Sequence, residues 1–269
     1  MLIYRVSRVL NLAHGELMML AAYLLITLTA LFGGHPLSAL AGAVALSLLV
    51  GLVLYVALMR RMTGEAVIAA VLVTIALGIF LRGVMVLGWT GRTFHPMEQL
   101  GWTNKAVALG GGMTISSVAL ATVGTAVLLY CALFVFFQFS RWGVRMRAVG
   151  ENPLLASQRG IALHATYALA WALATFTGGL AGILIALDSG LDTTMAVVGL
   201  KAFPAALVGG LGSLRGAIAG SAIVASAEVL AINYIDPLVS DVVPFLVLIV
   251  MLLIRPWGLF GSEEEIERV

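Results

Sequence analysis

The sequence predicts an all-α integral membrane protein, a polytopic bundle of about eight transmembrane or partly spanning helices. Two observations carry this prediction. The 269 residues are 61% hydrophobic and only 10% charged, whereas a soluble domain is about half apolar and about one quarter charged. Apolar segments of bilayer-spanning length also follow one another along the whole chain. One soluble core cannot hide this much apolar surface from water, so lipid is the expected solvent.

Eight apolar segments reach or approach the roughly 20 residues that a helix needs to cross the hydrocarbon. A glycine or a charged residue follows the end of each segment within four positions. The segments are Val9–Phe32, Leu37–Met59, Ala66–Leu87, Ile115–Phe139, Leu163–Leu187, Val197–Leu211, Ala217–Ile232 and Val242–Ile254. We expect an interruption of the third segment at Arg82-Gly83. The sixth segment is short, and we expect Pro204 and Gly209-Gly210 to break it.

The distribution of basic residues predicts the orientation. Cytosolic loops carry an excess of lysine and arginine, so Arg60 and Arg61 are placed in the cytosol. If all eight segments cross, the cytosolic loop 141–161 and the charged tail 262–269 share that side. The longest polar stretch, the outer loop 88–114, faces outward, where it either connects two helices or meets a delivery protein. All but four of the fifteen basic residues then lie inside; the four are Arg82, Arg92, Lys105 and Lys201.

Composition and motifs disfavour several other classes of protein. The net charge is +2 with no basic run, which gives no electrostatic footprint for nucleic acid. Cys131 is the one cysteine, so an intrachain disulfide and a cysteine-based metal site are excluded. The sequence has no Gly-x-x-x-x-Gly-Lys-[Ser/Thr] phosphate loop, no His-Glu-x-x-His and no Gly-x-Ser-x-Gly. A membrane-embedded enzyme therefore lacks support.

The cytosolic loop contains the signals of a short capped helix. Asn152 is a favourable N-cap, a proline follows at the first helical position, and Gly160 suits the site after a helix where φ is positive. The spacing predicts a helix over Pro153–Arg159. Leu154 and Leu155 would stay partly exposed unless another molecule covers them. The pattern fits a docking element for a cytosolic protein or an amphipathic loop on the membrane, and spacing alone does not separate the two.

Polar residues within the first apolar segment form a second group of candidate functional residues. Polar groups in lipid are costly and usually face a cavity or a partner. Asn11, His14 and Glu16 stand at the start of this segment, and the spacing of two between His14 and Glu16 puts them on different helix faces. A proton relay is one interpretation. We favour packing and capping near the cytosolic interface.

The later segments supply the remaining candidates. A short apolar segment broken by proline and glycine points to the substrate path in transporters. Glu228, in the seventh segment, either lines that path or bonds a neighbouring helix. Glycines spaced by four, as at Gly178 and Gly182, let membrane helices approach closely. The candidates for translocation path or helix packing are Asn11, His14, Glu16, Lys201, Pro204, Gly209, Gly210, Gly212 and Glu228.

Four blocks, in order along the chain, resemble one family. NLAHGELMMLAAY (Asn11–Tyr23) and GLKAFPAALVGGLGSLRGAIAG (Gly199–Gly220) are similar to two characteristic blocks of the branched-chain amino-acid ABC transporter permeases of the LivH type. The cytosolic loop resembles the coupling region of that family, and RPWGLFG (Arg255–Gly261) resembles its C-terminal end. The resemblance covers essentially the whole chain.

The resemblance implies a single transmembrane permease domain, 1–269, of the ABC importer type, in the cytoplasmic (inner) membrane of a bacterium or archaeon with its C-terminus in the cytosol. It implies a non-catalytic subunit without a bound cofactor, because ATP and Mg²⁺ bind to partner ATPases. Expected partners are cytosolic ABC ATPase subunits, a second permease subunit, related or identical, and an extracytoplasmic solute-binding protein. The predicted coupling-helix residues are Glu151, Asn152, Pro153, Leu154, Leu155, Arg159 and Gly160.

One departure from the family pattern stands at the N-terminus. The family has another membrane helix before the Asn-x-Ala-His-Gly block, whereas only ten residues precede Asn11 here. We expect this chain to lack the first helix of the family, either because its start lies upstream or because it is shortened.

The resemblance gives leucine, isoleucine and valine as the default substrates. Urea, short amides and other amino acids are served by very similar permeases, and nothing in the sequence separates them. An ion-coupled secondary transporter is the alternative of another class. It requires an ionisable site near the bilayer midplane, for which Glu228 is the candidate.

Overall fold

The computed structural model describes residues 1–33, 35–110 and 113–261, and the predicted charged tail 262–269 lies outside them. The described elements are α1 (Leu2–Ser7), α2 (His14–Leu31), α3 (Pro36–Ala57), α4 (Val67–Trp89), α5 (Pro96–Gln99), β1 (Ala106–Gly110), β2 (Met113–Ser116), α6 (Ser117–Phe139), α7 (Arg141–Glu151), α8 (Pro153–Gln158), α9 (Leu163–Ser189), α10 (Met195–Gly209), α11 (Leu214–Tyr234) and α12 (Val243–Ile254). The protein is thus almost entirely helical, and the all-α prediction is confirmed.

Each of the eight predicted segments corresponds to one apolar helix, with ends that differ by a few residues from the predicted ones. Six of these, α2, α3, α4, α6, α9 and α11, are long and apolar enough to cross a membrane, while α10 and α12 are shorter apolar helices. The predicted interruptions at Arg82-Gly83 and Pro204 are wrong, because α4 continues through Arg82-Gly83 and α10 contains Pro204 in its interior. The predicted break at Gly209-Gly210 is confirmed, because α10 ends at Gly209 and Gly210 adopts φ +96°. An unpaired backbone group costs several kcal/mol in lipid, which outweighs the weak helix propensity of single residues.

Contacts group the chain into two compact units. The first comprises Val6–Ala196 with Leu2, and the second comprises the chain from Val197 onward with Met1 and Ile3–Arg5. The expectation of one permease domain over 1–269 stays a prediction.

Helices α2 and α4 of the first unit run parallel and in register. The Thr74 hydroxyl accepts a hydrogen bond from the Leu12 backbone N–H at 3.1 Å, across 62 positions in the sequence. The Trp89 indole N–H donates to the Thr27 hydroxyl at 3.0 Å, across the same 62 positions. The two contacts have the same offset in sequence, so the chain runs in the same direction in both helices. This is expected when α3, which lies between them in the sequence, runs in the opposite direction.

Helix α9 completes the core of this unit, packed against α2 and α3 at close range. A Cβ built on Gly51 of α3 would lie 2.6 Å from the Trp171 carbonyl oxygen, and one on Gly179 would lie 2.7 Å from the Cβ of Ser47. A Cβ on Gly182 would collide with the backbone of Met18 in α2. The prediction that the glycines of this segment allow close helix packing is therefore confirmed.

The segment predicted as an outer loop has structure of its own. Phe94 and Leu191 exchange two backbone hydrogen bonds of 2.8 Å, which tie the loop to the end of α9. Helix α5 follows, and β1 then pairs antiparallel with β2, with Ala106 opposite Ser116.

The second unit depends on a close approach of α10 and α11. Ser213 caps α11 by accepting a hydrogen bond from the Gly216 N–H at 3.1 Å. The backbones of Gly209 and Gly216 are so close that a Cβ on either would collide with the other. The Leu259 N–H donates to the Val208 carbonyl at 3.0 Å, so the C-terminal block pairs with the end of α10.

Candidate functional site

The predicted helix in the cytosolic loop is present as α8. The Asn152 side chain accepts a hydrogen bond from the Leu155 N–H at 3.0 Å, and Gly160 adopts φ +80°. The helix ends at Gln158, with Arg159 as its C-cap, one residue earlier than predicted. Leu154 is 68% exposed and Leu155 is 56% exposed. Two adjacent leucines on a capped helix thus form an apolar patch open to a partner.

Helix α7, which directly precedes α8 and packs against it, was not predicted from the sequence. Helix α7 begins after Ser140, whose hydroxyl accepts a hydrogen bond from the Gly143 N–H at 2.9 Å, and it includes Glu151 as its last residue. Met146 and Val149 are fully buried on its inner face. Their spacing of three, among arginines, was the available signal for an amphipathic helix. Because α7 packs against α6, α8 and α9, α8 is held by the spanning helices.

Two arginine side chains form hydrogen bonds that link α7 to neighbouring segments. The Arg8 guanidinium donates to the Gly150 carbonyl at 3.3 Å. The Arg147 guanidinium donates to the Phe137 carbonyl in the last turn of α6, and to the Gln138 side chain at 3.4 Å. These bonds connect the pair α7–α8 to the helix before it and to the N-terminal segment.

The acidic residue of the polar block at the start of α2 lies beside the middle of α4. A Cβ on Gly78 would lie 3.2 Å from Glu16 Oε2, and Gly78 is equidistant from the two ends of α4, Val67 and Trp89. Since α4 is about 34 Å long and can cross the hydrocarbon, Glu16 lies near the middle of the span. The predicted role of this block in packing and capping near the cytosolic interface stays a prediction.

Glu16 forms an ion pair at this depth. The Arg82 guanidinium donates to Glu16 Oε1 at 3.1 Å. The His14 side chain lies against α9 instead, because a Cβ on Gly178 would lie 2.6 Å from the Cε1 atom of His14. His14 and Glu16 therefore occupy different faces of α2, as predicted. The side chain of Asn11 accepts a hydrogen bond from the Ala13 N–H at 3.1 Å.

The second unit holds an ion cluster around Lys201. Its ammonium group donates to Glu228 Oε1 at 2.6 Å and to Asp241 Oδ1 at 2.8 Å. The side chain of Lys201 is 18% exposed and that of Asp241 is 69% exposed. Of the two interpretations of Glu228, the bond to a neighbouring helix is the one observed. The sequence reasoning missed Asp241, which follows α11 in the connection to α12.

The other candidates of this unit occupy packing or turn positions. Pro204 lies inside α10, Gly209 contacts the backbone of α11, and Gly210 adopts φ +96° beside the C-terminal block. Gly212 lies in the turn that joins α10 to α11. Within residues 1–33, 35–110 and 113–261, no group of three His, Cys, Asp or Glu residues could hold a metal ion.

Replacing Lys201 by alanine is expected to destabilise the protein by about 1–3 kcal/mol, because it leaves two carboxylates without their shared counter-ion. Thermal denaturation of the purified protein in detergent measures this effect. Lys105→Ala is the matched control, since Lys105 is exposed. Equal melting temperatures for the two variants would contradict a stabilising role of the cluster.

Comparison with known proteins gives consistent matches over the whole chain. The family model described as "Branched-chain amino acid transport system / permease component" matches residues 1–252. The high-affinity branched-chain amino acid permease protein LivH of Escherichia coli K12 is 28% identical over 100% of this chain and 90% of its own length. BraD of Pseudomonas aeruginosa is 29% identical over 100% and 91%. The probable LivH of Methanocaldococcus jannaschii is 26% identical over 97% and 86%. No solved structure gives a significant match.

Proposed function

Because this chain belongs to the family of branched-chain amino acid transport permease components, we propose that it is the permease subunit of an ATP-driven importer that moves leucine, isoleucine and valine across a cytoplasmic membrane. The observation that carries the proposal is α8, a capped helix with two exposed leucines. The names of the relatives, which are branched-chain amino acid permeases, support the substrate class.

In this proposal α8 is the coupling helix. Leu154 and Leu155 dock into a cleft of a cytosolic ATPase subunit, which binds ATP and Mg²⁺. Closure of the ATPase pair displaces α8, and α7 transmits the displacement to α6 and α9, against which it packs. Since α9 packs closely on α2 and α3, a movement of α8 reaches the core of the first unit. Alternating access results when two permease subunits respond together.

The orientation follows from the same assignment. An ATPase-docking helix must face the cytosol, which agrees with the excess of arginine in the cytosolic loop. The C-terminus then also lies in the cytosol, and the outer loop meets an extracytoplasmic binding protein. The partner permease subunit is either a second copy or a related chain.

We expect deletion of this chain alone from its gene cluster to abolish ATP-dependent uptake of labelled leucine. Excess unlabelled valine should block the uptake of the intact cluster, whereas excess urea should not. Unchanged leucine uptake after the deletion would refute the proposed substrate, and labelled urea would be tested next.

A further inference from the structure

The Glu16–Arg82 ion pair is a feature of the first unit that helix packing does not explain. Glu16 stands in the first turn of α2 and is 14% exposed, while the Arg82 side chain on α4 is 48% exposed. Charged side chains within a membrane span are costly and face a partner or a water-filled cavity. A half-exposed guanidinium near the middle of a span therefore indicates a polar space beside α4.

The Arg82 guanidinium has hydrogen-bond donors that Glu16 does not use. A guanidinium has several N–H donors, and in the part of the chain that the structure describes, the Arg82 side chain makes one hydrogen bond, to Glu16. The Asn11 side-chain N–H₂ is buried and has no partner among the described residues. Helix α2 begins after Ala13, which offers no side-chain cap. Most N–H donors of the Arg82 guanidinium therefore have no partner among the described residues, which favours an additional anionic group.

An α-amino acid supplies such a group together with its counter-charge. We propose that Glu16 and Arg82 form a station on the translocation path that binds the zwitterionic head of the substrate, with its carboxylate on Arg82 and its ammonium on Glu16. This inference rests on the proposed function. The exchange replaces one internal ion pair with two bonds to the substrate and leaves the net charge unchanged. An uncharged solute such as urea can offer only neutral hydrogen bonds in place of the ion pair, so the station favours amino acids.

Cysteine labelling tests whether Arg82 faces water. Cys131, the single cysteine, is first replaced by alanine, and Arg82→Cys or Phe80→Cys is then introduced into the complete importer. Phe80 is 66% exposed and lies about 200° away from Arg82 around the helix at nearly the same depth. We expect a charged, membrane-impermeant thiol reagent to label position 82 at least tenfold faster than position 80. Equally slow labelling of both would overturn the inference.

Transport by charge variants tests recognition. Arg82→Gln and Glu16→Gln should each lower leucine uptake at least tenfold at normal membrane levels, while the assembled importer still hydrolyses ATP. The double exchange Glu16→Arg with Arg82→Glu rebuilds an ion pair but reverses the orientation of the bound substrate, so uptake should stay low. Recovery of uptake in the double variant would assign the pair a structural role and overturn the inference.

The outcomes also separate this inference from the proposed function. If deletion of the chain abolishes leucine uptake while Arg82→Gln transports normally, the permease role stands and the station is refuted. If deletion leaves leucine uptake unchanged, the proposed function fails and the station fails with it.

Discussion

Replacing Leu155 by aspartate is expected to reduce uptake by at least about 100-fold while the protein still inserts into the membrane. Leu155 is 56% exposed, so the substitution costs the isolated subunit little stability. In a docked complex, the new carboxylate would be buried without a partner, and an unpaired buried charge costs about 3–5 kcal/mol. A loss of that size corresponds to a factor of about 100 to several thousand in the binding constant of the ATPase.

Two measurements decide the outcome of this substitution. Co-purification of the ATPase with the permease should be lost in parallel with uptake, and the amount of permease in the membrane should not change. Leu238→Asp is the matched control, because Leu238 is 87% exposed and lies in the connection between α11 and α12, on the predicted outer side. Normal uptake by the Leu155 variant would refute the assignment of α8 as the coupling helix.

The sequence allowed the spanning helices and the cap of α8 to be predicted, because both depend on local chemistry. Apolar runs end where charged residues or proline stop them, as at Arg60, and Asn152 with Gly160 marks the two ends of a short helix. The incorrect breaks at Arg82-Gly83 and Pro204 arose from the same local reasoning. Local propensity is the weaker effect in lipid, where the backbone keeps its helical hydrogen bonds.

The ion pairs could not be predicted, because they depend on how helices align. Glu16 and Arg82 are 66 positions apart, and their contact requires that α2 and α4 run parallel in register. The sequence analysis did mark the individual residues, since Glu16, Lys201 and Glu228 were candidates. Arg82 and Lys201 are also two of the four basic residues that fall outside the cytosolic set. A basic residue that violates the positive-inside rule is therefore a good place to look for an intramembrane partner.

Gly182→Ala is expected to destabilise the protein by about 3 kcal/mol, although alanine is the better helix former. The added Cβ would lie 2.7 Å from the carbonyl carbon of Met18 and 3.0 Å from its Cα. A backbone cannot rotate aside as a flexible side chain can, so α2 and α9 must separate. Separation removes the close contact on which association of helices in lipid depends.

Gly124→Ala provides the matched control, because Gly124 also lies inside a spanning helix, α6, and a Cβ there would meet nothing within 4 Å. Alanine at that site should leave stability unchanged or raise it by up to about 1 kcal/mol. Thermal denaturation in detergent should therefore lower the melting temperature of the Gly182 variant alone. Equal shifts in both variants would mean that the α2–α9 contact does not limit stability. A selective shift would show that the close approach of α2 and α9 contributes to the stability of the protein.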